Sequence, residues 1–110
     1  MGRYITTIGT AGATTREVST TYQAVVNDRI LANMASSAFT ITLPVSSGAL
    51  TGDTVQIIDI AGNASSNNIT IGRNGAKING ATEDLVIDAA GAIVSLIYSG
   101  TTYGWIIGAV

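Results

Sequence analysis

The sequence predicts an all-β domain: a small antiparallel β-sandwich, jelly-roll-like, behind an extended N-terminal arm. Two observations lead there. Several short runs alternate apolar and polar residues with a period of two, the mark of a strand with one buried face. Gly, Asn and Ser recur between those runs and supply the turns. Together they give eight or nine short strands in 110 residues, enough for one domain with its own core.

Residues 1 to 20 are rich in Gly, Thr and Ala and hold no period. "RYITTI" can pair as a short strand, whereas "GTAGATT" has little to pack, so 1–20 is expected to be an arm that orders on binding. Residues 21–110 form the knob. In "TYQAVVNDRILANM" the apolar residues Val25, Val26, Ile30 and Leu31 surround Asn27-Asp28, a turn-prone pair. Two short strands follow from that. A helix through "YQAVVNDRILANMA" is the competing reading, because Ala, Leu, Met and Arg favour helices.

Further on the pattern is plain. "SAFTITLPVSS" sets Phe39, Ile41 and Leu43 against Thr40 and Thr42, and Pro44 ends the strand because it cannot donate to a ladder. "DTVQIIDIAG" turns Val55 and Ile57 inward and Gln56 outward. "EDLVIDAAG", "GAIVSLIYSG" and "TTYGWIIGAV" supply the remaining strands. A repeat solenoid is a weaker candidate: "ITIGRNGAKING" resembles a short rung, but no fixed period recurs along the chain.

The stretch "NNITIGRNGAKINGATEDL", residues 67 to 85, concentrates polar side chains. Its Asn-Gly pairs at 74–75 and 79–80 are strong hairpin signals, since both residues tolerate positive φ. Arg73 and Lys77 flank the first pair and are expected to point into solvent. The stretch therefore reads as a turn rather than an active site.

Composition narrows the chemistry. With no Cys and no His, thiolate metal sites, thiol nucleophiles and the usual general base are excluded. The carboxylates Asp53, Asp59, Glu83, Asp84 and Asp88 match no calcium loop, and their spacing places no catalytic pair. Oxygens from "EDLVID" could meet a cation between subunits, but loop carboxylates more often only hold water. No enzyme, cofactor or metal is expected. The net charge of −2 and the scatter of Arg3, Arg16, Arg29, Arg73 and Lys77 argue against nucleic acid. The apolar runs are too short to span a bilayer, no signal peptide is visible, and the Asn-x-Ser/Thr matches at Asn63 and Asn68 suit chance in so Asn-rich a chain.

Only 11% of residues are charged while 46% are hydrophobic, and Thr alone outnumbers the charged residues. Ordinary soluble domains carry about 25% charge. A small surface so poor in charge points to contacts with other copies or other proteins, although Thr, Ser and Asn could also solubilise a monomer. Trp105, in a terminal strand, is expected in the core or a subunit interface; with Tyr103 it could instead stack on a sugar.

From Tyr22 onward the chain resembles a small β-domain found in bacteriophage tail fibres and other virion proteins. The resemblance rests on "YQAVVNDRILANM", "FTITLP", "GDTVQIIDIAGNASSNNITI", "RNGAKING" and "VSLIYSGTTYGWII", in that order, over about four-fifths of the chain. It implies a compact sandwich, usually trimeric, on a virion exterior, without catalytic residues. A knob with a short arm and no shaft suits a capsid decoration (cement) protein, made in the host cytoplasm and bound to the major capsid protein or another virion protein. Arg3, Tyr4, Ile5, Ile8 and Arg16 are then the attachment candidates, and Tyr103 and Trp105 the trimer-interface or ligand candidates. The alternative is a short tail-fibre or tip protein whose knob binds host glycan.

Overall fold

A computed structural model describes residues 13–109. Nine strands carry the fold: β1 (Thr14–Val18), β2 (Tyr22–Gln23), β3 (Asp28–Ala32), β4 (Phe39–Thr42), β5 (Thr54–Asp59), β6 (Ile69–Gly72), β7 (Leu85–Ile87), β8 (Ile93–Tyr98) and β9 (Trp105–Ala109). One 3-10 turn spans Ser46–Gly48, and no α-helix occurs among the described residues.

The strands form two mixed sheets, in the orders β1-β3-β5-β8-β9 and β2-β4-β6-β7. Up to β6 the chain alternates between them, and each strand lies parallel to the one before it in its own sheet. Every two consecutive strands thus make one coil, and the next coil stacks on it as in a solenoid. The direction then reverses: β7 pairs antiparallel with β6, β8 with β5, and β9 with β8. The all-β class holds, but the antiparallel, jelly-roll-like order is corrected to stacked parallel coils closed by antiparallel strands. Period-two alternation reports which face is buried, not the direction of the neighbour, so it could not separate the two. The coils are also unequal. Arg16 lies opposite Ile30, whereas Ile30 lies opposite Ile57, a much longer step.

Residues 22–34 adopt strands rather than a helix. Asn27, at φ 69°, turns the chain between β2 and β3, and the Asp28 N–H donates to the Val25 carbonyl at 3.2 Å. The expected arm is shortened from its C-terminal side, because Thr14–Val18 is the edge strand of the larger sheet. Four of its five residues are exposed, so sequence had no burial pattern to read there. Arg3, Tyr4, Ile5 and Ile8 lie outside the described residues.

One core fills the space between the sheets. Ile30, Val55, Ile57, Leu96 and Trp105 enter it from one side, and Ile41, Ile69, Ile71 and Ile87 from the other. Parallel register stacks like on like: Ile30 beside Ile57, and Ile41 beside Ile71. Branched side chains pack well on such pleated surfaces.

The two Asn-Gly pairs form the tight turns that their sequence requires. Asn74, Gly75, Asn79 and Gly80 all have positive φ, and the turns close through Ala76 N–H to Arg73 O at 3.1 Å and Ala81 N–H to Ile78 O at 2.9 Å. Neither joins two long strands. The segment between them instead docks on the start of β9, where Trp105 N–H donates to Lys77 O at 2.8 Å and Asn79 N–H to Trp105 O at 2.8 Å.

Gly104 permits that docking: its φ is +71°, and a Cβ there would collide with the Lys77 carbonyl. Gly104→Ala is expected to cost roughly 2–4 kcal/mol from combined backbone strain and overpacking. Gly91→Ala, at φ +74° in open space, should cost only about 1–2 kcal/mol. Urea unfolding of the two variants checks the difference.

Candidate functional site

The acids of this chain mainly organise turns. Asp59 is buried and accepts backbone N–H groups from Asn63 at 3.3 Å, Ala64 at 2.9 Å and Gly91 at 2.9 Å, tying the loop after β5 to the turn before β8. Asp53 accepts Leu50 N–H at 2.8 Å and Asp84 accepts Arg73 N–H at 3.0 Å. Carboxylates engaged this way are structural acceptors, not a poised acid–base pair. Among the described residues no group of three potential ligands is placed to hold a metal ion.

Arg16 sits where β1 meets the open side of the core. Its Nε is 3.7 Å from Asp28 Oδ1, and its guanidinium lies 5.7 Å from the centre of the Tyr22 ring. The Asp28 side chain is fully buried. Its Oδ2 accepts the Tyr22 hydroxyl at 2.7 Å and the Val25 N–H at 2.9 Å. Because Tyr22 belongs to one sheet and Asp28 to the other, the cluster clips the two together. The sequence reading named Arg16 but passed over Asp28 and Tyr22. Arg16 therefore has an intramolecular partner, with its side chain still 45% exposed.

Trp105 and Tyr103 separate. Trp105 is 0% exposed and packs its ring 5.2 Å from that of Tyr98, so it anchors the chain's own core and is closed to a ligand. Tyr103 is 61% exposed and lies against Gly80 across the turn contact, where Gly80 N–H donates to Tyr103 O at 2.8 Å.

Two surfaces remain that could work outward. The first is a pocket of about 130 Å³ beneath the β8–β9 turn. Arg73 and Lys77 line it with Ser46, Thr82, Tyr98 and Thr101. Both cations are half-buried at its wall, not directed wholly into solvent as the turn reading expected. The turn was read correctly, but docking of residues 77–79 on β9 brings its flanks together with residues 98–104. Arg73 Nη1 donates to Ala76 O at 2.9 Å, which fixes the guanidinium. The Arg16–Asp28 contact is the one ion pair among the described residues, so neither pocket cation has a carboxylate at that range.

The second is the outer face of the five-stranded sheet. Strand alternation places Leu31, Ile58, Ile93, Ile97 and Ile106 there. Ile93, Ile97 and Ile106 are 42%, 45% and 37% exposed, too open for core residues. A polar row crosses between them: Arg29 Nε donates to Gln56 Oε1 at 3.0 Å, and Gln56 Nε2 to Ser95 Oγ at 3.3 Å. The outer face of the smaller sheet is richer in threonine, carrying Thr40, Thr42 and Thr70 beside one exposed apolar residue, Val86. No protein-family model matches the chain, and no curated protein matches it in sequence.

The clip has a pH signature. Burial, and then the hydrogen bond to Asp28, push the Tyr22 hydroxyl up from 10.0 to about 12. A folded-state value raised above the unfolded one means that the contribution is complete below pH 10.0 and lost as pH rises through about 12. Tyr22→Phe should abolish that alkaline loss and lower stability at neutral pH. Unfolding midpoints of both proteins across the range, with tyrosinate absorbance, check it.

Proposed function

We propose that the chain is a bacteriophage virion structural protein, a homotrimeric sandwich-like knob that acts as a capsid decoration (cement) protein on the head exterior. The observation that carries this reading is the isoleucine-lined outer face of the five-stranded sheet, set in a chain with very little charge. Exposed apolar faces on small domains suit association, and the threonine face opposite suits solvent. The segment "RYITTI" would add a strand to a sheet edge of the major capsid protein, where main-chain hydrogen bonds give affinity. Binding the assembled lattice but not its free subunits would stabilise the shell by mass action.

Introducing an opposite-charge pair on the apolar face tests the assembly. Ile97→Asp combined with Ile106→Lys, direct partners across β8 and β9, is expected to turn trimers into monomers in sedimentation, with the thermal midpoint kept within a few degrees because neither residue enters the core. A trimer that survives both changes would place the interface elsewhere.

A second reading, a short tail-fibre or tip protein binding host carbohydrate, is favoured by exposed Tyr103 beside a cationic pocket. Copy number in purified virions separates the two. About one copy per capsid subunit is expected for decoration; a small fraction of that would move the chain to the tail.

A further inference from the structure

We propose that the pocket beneath the β8–β9 turn is a binding site for an acidic sugar residue, with Arg73 and Lys77 holding its carboxylate and Tyr103 stacking on its ring. This rests on the carbohydrate-binding reading and names its site and ligand class. Three features lead to an acidic sugar rather than a neutral one or a bare ion.

First, two cations line one small pocket without a carboxylate at ion-pair distance among the described residues. Asp84, the nearby acid, accepts the backbone N–H of Arg73 at 3.0 Å but is not at ion-pair distance from either cation. Two cationic residues in one half-buried lining favour an anion there, and charge-assisted contacts are the strong ones in such places. Arg73 is already oriented by its bond to Ala76 O, so little of its freedom is lost on binding.

Second, the remainder of the wall suits hydroxyl groups. Ser46, Thr82 and Thr101 line it, and each can donate or accept. Gly75, Gly100 and Gly104 complete the lining and leave backbone within reach of a ring. The volume of about 130 Å³ is close to that of cavities of about 150 Å³ that take up a benzene ring, which admits one edge of a sugar residue and its carboxylate while the remaining hydroxyls stay in solvent.

Third, Tyr103 lies outside the lining itself but next to Gly104 of it, 61% exposed, on a firm support: the ring rests on Gly80, and the Tyr103 carbonyl is held by Gly80 N–H. A rigid exposed aromatic beside polar groups can cover an apolar sugar face at little entropic cost.

Titration calorimetry of the full chain at constant ionic strength, with glucuronic acid, glucose and sulfate as probes, tests the site. Glucuronate should bind roughly tenfold or more tightly than glucose, the loss expected when a charged partner is removed. Lys77→Gln and Arg73→Gln should each weaken glucuronate by a similar factor, and Tyr103→Ala should weaken it without altering the thermal midpoint. If Arg73→Gln loosens the fold through Ala76, Lys77→Gln alone decides. Sulfate binding as tightly as glucuronate, with no effect of Tyr103→Ala, would reduce the pocket to an anion site and overturn the proposal. Glucose binding equally and indifferently to Lys77→Gln would also overturn it, while leaving the carbohydrate reading intact. Absence of any sugar binding would remove both.

Discussion

Parallel stacking in register is the constraint on which the rest of this structure depends. When β3 lies on β1 and β5 on β3, each side chain meets its counterpart of the next coil on the same face. Inside, that makes rows of branched residues, Ile30 with Ile57 and Ile41 with Ile71, which pack because their shapes repeat. Outside, the same geometry lines residues up in rows that cross the strands. Thr40 meets Thr70 on the smaller sheet, while Arg29 meets Gln56 and Leu31 meets Ile58 on the larger. A threonine face and an isoleucine face are thus two products of one stacking rule.

Stacked parallel coils leave open edges, which readily template further pairing. The last three strands answer this at one end by reversing direction, covering β5 with β8 and β6 with β7. That reversal also creates the pocket. The turn between β8 and β9 comes to lie over the residues after β6, with Gly104 allowing the backbones to touch. The opposite edge is held by β1, which is almost wholly exposed. There the buried Asp28 accepts one hydrogen bond from Tyr22 of the other sheet and one from Val25 in the link between β2 and β3. Arg16 adds a looser contact at 3.7 Å, with a side chain 45% exposed, which by itself is worth about 0–1 kcal/mol. The hydrogen bonds therefore carry the clip, and Arg16 balances a charge that would otherwise stand alone in the interior.

Much of this was legible in the sequence, and the gaps have physical causes. The period-two runs gave the inward residues Ile41, Leu43, Val55 and Ile57, all buried, because alternation depends only on the chain's own pleat. Strand direction was not legible, since it depends on how far the chain travels before returning, and the unequal coils hid any repeat. Strand β1 was read as arm because its stability comes from backbone pairing at an edge, which leaves no hydrophobic imprint. The pocket was invisible for a related reason. Its turns were plain from Asn-Gly, but the approach of residues 73–77 to 98–104 is set by tertiary docking, so Arg73 and Lys77 were assigned to solvent. Trp105 was weighed among core, interface and ligand; its position opposite Tyr98 places it on the inward face, and only pairing with β8 decides that.

The two proposed surfaces do not compete for the same residues. The isoleucine face is built from outward positions in the middle of β3, β5, β8 and β9, whereas the pocket draws on inward Tyr98 and on the links around Ser46, Arg73 and Thr101. Association through the sheet face would therefore leave the pocket's own lining untouched. It would also present one pocket per copy, and repeated weak sites on one assembly bind a repetitive polymer far more tightly than a single site does. A monovalent sugar contact in the millimolar range, worth about 4 kcal/mol, would then suffice for an oligomer on a virion surface, where it would be of little use to an isolated monomer. The rows that follow from stacking thus give a physical reason why the proposed assembly face and the proposed pocket can occupy separate surfaces of one domain.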